Sequence, residues 1–412
     1  MFRKLKQAYP QFAYNFPLLL AFLLPFGINL SIFIVLWSLC FFMFDDVKGG
    51  MKKVLSNKWS WVLIGFLVLH TVAYFSSTNK SEAATSIEIK LSFLAFPILF
   101  FASNFNEMQV KKTVISFVSG CFLVCLIYLF RAGFLFFFQD FNAFFYTEFT
   151  YFMHPSYFAM YLILALLIIM LYYHQWLGHL SNLNVKIGFL SVVFVVCIVL
   201  ASSKMGLLTA VLILPSTLLA LWYKAGYKKS IVALVLLMVI GFAVMYKLFP
   251  DYFGRIKTAI NVSSSVETID KTSAESTAVR ILIWEEAIKI IKQHWLLGTT
   301  PGDANDELYK AYKLNGMTGA LKKNLNAHNQ YLQTFIGTGI IGFLLLCAMT
   351  LGTMIYGFLK KNTILILFSL LIILNFLVES MLQAQAGFIF FVFFLCLFLK
   401  YNLSLPNKTH NS

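Results

Sequence analysis

Charged residues are scarce in this chain. They make up 12% of its 412 residues, against 60% hydrophobic, where a soluble domain carries nearer a quarter. The shortage excludes an ordinary soluble enzyme. Apolar runs of about 20 residues, long enough to cross a bilayer, recur instead. They are continuous and lack the alternation of membrane-barrel strands, so the expected fold is an all-α polytopic membrane protein. None of the six cysteines (Cys40, Cys121, Cys125, Cys197, Cys347, Cys396) lies in the long polar stretch. They read as small buried hydrophobes, which argues against disulfides and thiolate metal sites. No carboxylate-rich cluster suggests a metal, and Asp303 with Asp306 reads as a solvated turn. The internal repeat typical of many transporters is missing. The basic, then apolar N-terminus has no small-residue cleavage pattern and reads as an uncleaved first helix.

The net charge of +15 does not indicate nucleic acid, because the basic residues cluster between apolar runs. Arg3, Lys4 and Lys6 form one group; Lys48, Lys52, Lys53 and Lys58 a second; Lys111 and Lys112, then Lys224, Lys228 and Lys229, then Lys360 and Lys361 follow. This is the positive-inside pattern of cytoplasmic loops. The apolar runs fall near 12–28, 29–44, 59–75, 87–103, 113–138, 155–173, 186–201, 204–222, 230–249, 331–356, 363–379 and 383–400, about twelve spans. Both termini are then cytoplasmic. Residues 1–249 form a membrane domain of about nine spans. Residues 250–330 form one large outward-facing loop, between the ninth and tenth spans, with amphipathic helices. Residues 331–400 add about three spans, and 401–412 are a cytoplasmic tail.

Within the loop, Ile281, Trp284, Ile288, Ile291 and Trp295 repeat at helical spacing. Ser276 or Thr277 can start that helix and Gly298 can end it. It either lies on the membrane surface or packs on a second helix expected from about Asn305 to Leu314. Arg280 falls in its first turn, where a cation opposes the helix dipole. The position suits an anion that free N–H groups and a guanidinium bind together; pairing with Glu275 or with lipid headgroups is the plainer reading. His328 stands just before the next span, where the dipole favours a neutral imidazole able to act as a base, or simply a hydrogen-bonding interfacial histidine. His154 holds the matching place before another span. Lys204, after Ser203, is a cation on the outer side, and Glu379 ends a span on that side; a structural ion pair is the plain alternative. Two literal matches mean little. Gly337-Thr-Gly339-Ile-Ile-Gly342 spells a dinucleotide fingerprint but lies inside a span, where small residues serve helix packing. His174 and His179 are five apart, which is not a helical metal pair.

Together these features resemble the O-antigen ligase and O-antigen polymerase superfamily of bacterial envelope glycosyltransferases. The resemblance rests on Arg280 before a Trp-containing helix, Gly298-x-x-Pro-Gly302, and His328-Asn-Gln-Tyr331-Leu-Gln with Gly337 and Gly342 downstream. His154-Pro-Ser-Tyr, Ser203-Lys204 and Glu379-Ser380-x-Leu382 also match. One departure is Lys204, where members commonly carry Arg; a phosphate contact there is a point charge rather than a fork. The resemblance implies an inner-membrane enzyme acting at the periplasmic face. Its donor is a glycan on undecaprenyl diphosphate, its acceptor a sugar hydroxyl of lipid A–core or of a second carrier-linked glycan, and its chemistry needs no metal or cofactor. It implies that Arg280 and Lys204 hold the diphosphate and that His328 activates or positions the acceptor. His154, Ser203, Asn329, Tyr331 and Glu379 support the site, Glu379 by orienting a basic partner. The 45 Phe and 19 Tyr supply lipid-facing surface and a polyprenyl groove. A ligase, a polymerase or a protein O-oligosaccharyltransferase of this superfamily share that chemistry. A transporter or flippase is the reading from another class.

Overall fold

The computed structural model describes residues 13–177, 182–225, 271–272 and 277–401. The expected span at 230–249 and most of the loop's first part lie outside the described residues. Among the described residues there are helices and no strand. In chain order they are α1 (Asn15–Leu23), α2 (Ser31–Phe44), α3 (Val47–Ser56), α4 (Lys58–Ser76), α5 (Lys80–Lys90), α6 (Ser92–Ala102) and α7 (Glu107–Gln139). There follow α8 (Tyr146–Phe149), α9 (Pro155–Leu177), α10 (Leu183–Leu200), α11 (Lys204–Ala225), α12 (Thr277–Gln293), α13 (Ala304–Leu314) and α14 (Thr318–Lys322). The last four are α15 (Gln330–Cys347), α16 (Thr353–Leu359), α17 (Thr363–Phe376) and α18 (Gln385–Lys400).

Seven of the described helical stretches are long and apolar enough to cross a membrane: α4, α5 with α6, α7, α9, α10, α11, and α15 with α16. Short polar caps set where several begin. Asn57, Asn79, Asn106 and Asn362 each accept a first-turn N–H, the residue type that best satisfies those free donors. Asn106 and Gln109 close a reciprocal capping box. Residues 47–56, expected as part of a loop, form the amphipathic α3, which Asp46 caps at 3.1 Å.

The core is built around α9 and α18. Every residue from Gly387 to Phe398 is buried, so α18 is apolar on all sides and enclosed on all sides. Tyr161 stacks on Phe390 at 4.4 Å and 12°, and Phe117 meets Phe394 edge-on at 4.7 Å. The phenylalanines of the last helix are therefore core, whereas others, such as Phe75, Phe130 and Phe137, are exposed, as expected of aromatics that supply outer surface.

Three further differences bear on the site. The Gly337–Gly342 motif does serve helix packing, since a β-carbon on Gly342 would stand 3.3 Å from Leu69 of α4, but it also marks a break in α15. Gly339 has φ +61° and ψ −160°, and the freed backbone is paired to the loop. Ile340 N–H donates to Trp295 O at 2.9 Å and Thr299 N–H to Ile336 O at 2.7 Å. A β-carbon on Gly298 would stand 2.6 Å from Gly339 N, so Gly298 permits that approach. Non-helical backbone within a span is tolerated where protein satisfies it in this way.

The buried face of α12 is Val279, Leu282, Ile283, Ala287 and Ile290, one step around from the expected stripe; Ile288 and Trp295 are exposed. That face packs with Leu308 and Tyr312 of α13, Ala327 and Ile336 in a second small core. Tertiary burial of the Val279 face won because the loop's own helices complete it.

Asp303 is buried rather than solvated. It accepts from Thr78 N–H, Thr78 Oγ1, Asn79 N–H and Thr300 Oγ1 at 2.6–3.1 Å, and Asn79 Nδ2 donates to Asp306 at 2.9 Å. The turn thereby clips the loop to the start of α5.

Candidate active site

His328 lies in the turn that leads from α14 to α15. Its φ of +43° is uncommon for a residue with a side chain, and its surroundings hold it there. His328 N–H donates to Asn326 Oδ1, Ala327 N–H to Gln333 Oε1, and Trp284 Nε1 to Ala327 O, each at 2.9 Å. Gln333 is itself held by Asn305 at 2.9 Å. Both loop helices thus fix the turn. Asn329 then caps α15: its side chain accepts from Tyr331 N–H at 2.9 Å and Leu332 N–H at 3.1 Å. Two of the first N–H groups of α15, the helix whose dipole was expected to act on His328, are thus occupied by Asn329.

Glu379 comes from the non-helical stretch between α17 and α18. Its two oxygens are divided. Oε1 accepts from Arg280 Nη2 at 3.2 Å, and Oε2 lies 3.4 Å from His328 Nδ1. The loop helix, the pre-α15 turn and the end of α17 therefore meet at one carboxylate. Burial alone would raise the Glu379 carboxyl. The hydrogen bond from His328 and the charges of Arg280, His328 and His154 outweigh it and hold the group below the ordinary carboxylate value. When Nδ1 carries the proton that faces Glu379, Nε2 keeps a lone pair that can accept one from a ligand. The Arg280 side chain is about one-third exposed and uses one nitrogen on Glu379. Its remaining donors can meet an anion in a fork.

His154, immediately before α9, belongs to the same electrostatic cluster. Burial pushes its ring below the usual histidine value; Glu379 opposes this, and Arg280 and His328 add to it. Its ring stands edge-on to Tyr146 at 6.3 Å and Tyr157 at 6.2 Å. Ser156 accepts from Ser203 Oγ at 3.2 Å, and Ser203 caps α11 through Gly206 N–H at 3.1 Å. Lys204, half-buried, is thereby placed at the start of α11 beside the start of α9. Tyr331 is different: its hydroxyl donates to Thr350 at 3.3 Å, down the length of α15, and the structure does not bring it to the carboxylate. Trp284, Gln333 and Tyr157 stand within the stretches quoted from the sequence, but no role at the site was assigned to them there. The glutamine had a readable signal, a polar residue in the first turn of a span; the other two depend on contacts between distant segments.

Among the described residues no group of three or more His, Cys, Asp or Glu is placed to hold a metal ion. A cleft of about 430 Å³ beside α13, lined by Thr78, Asp306, Lys310 and Lys313 among others, shares no residue with the Glu379 cluster.

In comparison with known proteins, residues 189–347 match the family described as O-antigen ligase. That segment contains Ser203, Lys204, Arg280, His328 and Asn329 but ends before Glu379. The chain is also 24% identical over 179 residues to an uncharacterized protein of Haemophilus influenzae, which is 43% of this chain and 44% of that one. It thus spans less than half the length of that relative.

Proposed function

We propose that this chain, whose residues 189–347 match the O-antigen ligase family, is a membrane glycosyltransferase. It moves a glycan from undecaprenyl diphosphate to a sugar hydroxyl of lipid A–core at the periplasmic face of the inner membrane. The observation that carries this reading is the division of Glu379 between Arg280 and His328.

The acceptor oxygen attacks the anomeric carbon as the bond from that carbon to the diphosphate oxygen breaks. The electron pair leaves with undecaprenyl diphosphate, and the hydroxyl proton passes to His328 Nε2. Arg280 and Lys204 bind the diphosphate, whose charge grows as the bond breaks; donors fixed in advance stabilise such charge best. Diphosphate is already a good leaving group, so no general acid is required on that side. Glu379 keeps the imidazole oriented and balances the cation formed when His328 accepts a proton, the role an orienting carboxylate plays beside any histidine base. His154 and Asn329 support this arrangement from either side.

The test is transfer by the purified protein from a carrier-linked glycan to lipid A–core, read as a covalent product. Absence of product with both substrates present defeats the proposal and favours a transport role. The envelope of a deletion strain separates the two closest readings. Free carrier-linked long polymer indicates a ligase, and single repeats capped on core indicate a polymerase.

A further inference from the structure

We propose that Gln330 is a positioning residue for the transfer step: through Leu382 it holds Glu379 in place between Arg280 and His328. The inference rests on the function proposed above.

Glu379 lies on a stretch with little regular backbone support. Val378 and Glu379 N–H both reach back to Asn375 O, and the next helical turn, Met381–Gln383, is a single 3-10 turn. The stretch is tied to the His328 segment on both sides of Glu379. Two residues before it, Leu377 O accepts from Asn329 Nδ2 at 3.0 Å. Three residues after it, Leu382 N–H donates to Gln330 Oε1 at 2.7 Å. The two side chains immediately following His328 therefore bracket the carboxylate that His328 faces.

Gln330 is suited to this task and to little else. It is 1% exposed, so it is not available to a substrate. The Leu382 N–H can only donate, so it fixes the oxygen end of the amide toward itself, and the amide nitrogen donates to Thr334 Oγ1 at 3.0 Å. The helix cap belongs to Asn329, so Gln330 is not needed for that. The contact it protects is fragile: His328 Nδ1 and Glu379 Oε2 are 3.4 Å apart, already at the long end for a hydrogen bond. A displacement of the stretch by a few tenths of an ångström breaks it, and catalytic groups misplaced by about 1 Å lose up to about 10²-fold in rate.

The experiment uses the full-length protein in nanodiscs, with folding checked by thermal melting. Gln330→Met keeps the volume and removes the acceptor. It is expected to lower kcat by about tenfold or more with donor KM unchanged. Gln330→Glu, which still offers an oxygen to Leu382 N–H, should recover part of that loss. In a Glu379→Ala background, Gln330→Met should cost little more, because residues acting through one another are not additive. A full, additive loss in that background, or normal kcat in folded Gln330→Met, overturns the inference. A readout that needs no transfer is the rate of His328 modification by diethyl pyrocarbonate, followed by peptide mass. Gln330→Met and Glu379→Ala should each raise it, and the double variant no further. An unchanged rate in folded Gln330→Met defeats the positioning role even if no glycan is ever transferred. Absent transfer with the expected modification pattern defeats the function and leaves the positioning intact.

Discussion

A single carboxylate sharing its oxygens between an arginine and a histidine makes different demands on the two partners. Arg280→Ala should reduce transfer by about 10²-fold or more, the usual scale for removing one fixed stabilising donor, and should weaken donor binding. Arg280→Lys should restore only part, since an ammonium cannot form the fork. Full activity in Arg280→Ala would end the diphosphate assignment. His328→Ala should lower kcat by about 10²–10⁴-fold, the range of general-base assistance, with donor affinity largely kept. His328→Gln should recover little if a proton is transferred and much more if the residue only orients the hydroxyl. Donor affinity lost in folded His328→Ala would move this residue to the diphosphate side. His328 and Glu379 stood out as polar residues at the edges of apolar runs, and Arg280 as a cation in the first turn of the loop helix. Their convergence was not, because residues 280, 328 and 379 are joined only by tertiary packing. Trp284 was legible as helix surface, yet its Nε1 bond to Ala327 O could not be read from spacing.

Helices were the easiest elements to foresee and their interruptions the hardest. Seven of the twelve apolar runs correspond to described helices long enough to cross a membrane, and four others to shorter apolar helices; Asn305–Leu314 predicted α13 within one residue of the observed Ala304–Leu314. The break at Gly339 needs a partner, the Trp295–Thr299 backbone, that no local pattern reveals. Its φ and ψ are open essentially to glycine alone, and a β-carbon there would meet Leu296 C at 2.5 Å. Gly339→Ala should therefore destabilise the protein by about 1–3 kcal/mol, whereas Gly352→Ala, whose nearest neighbour would be 3.7 Å away, should be close to neutral. Equal melting temperatures for the two variants would contradict the backbone pairing.

The Asp303 clip makes a pH-dependent prediction. Burial alone would raise this carboxyl; the Thr78, Asn79 and Thr300 donors overcome it and bring the value to about 2, below the unfolded value of about 3.9. A depressed folded value contributes stability above the unfolded value and loses it as pH falls toward about 2. Asp303→Asn should lower the melting temperature at pH 7 and flatten its decline between about pH 4 and 2. An unaltered decline would place the acid sensitivity elsewhere.

At the scale of the whole molecule, the sequence indicates orientation through the sign of its loops, and packing cannot supply that. Lys48, Lys52 and Lys53 on one side, and Lys360 and Lys361 on the same side, outweigh the acidic residues near them. Arg280 and His328 fall in the expected outward loop, and Glu379 follows α17. If the positive-inside rule orients this chain, Glu379, Arg280 and His328 face the periplasm, where a carrier-linked glycan is presented. Lys52 and Asn315 are both exposed and fall on opposite predicted sides. In a cysteine-free background with the outer membrane permeabilised, an impermeant thiol reagent should label Asn315→Cys in intact cells. It should label Lys52→Cys only after the inner membrane is breached. The reverse result would put the Glu379 cluster in the cytoplasm, away from the donor, and the proposed reaction would fail with it. Labelling of both in intact cells would break the alternation on which the span order rests while leaving the Arg280–Glu379–His328 geometry untouched. The orientation and the site chemistry are thus separable, and the labelling experiment should precede any kinetic one.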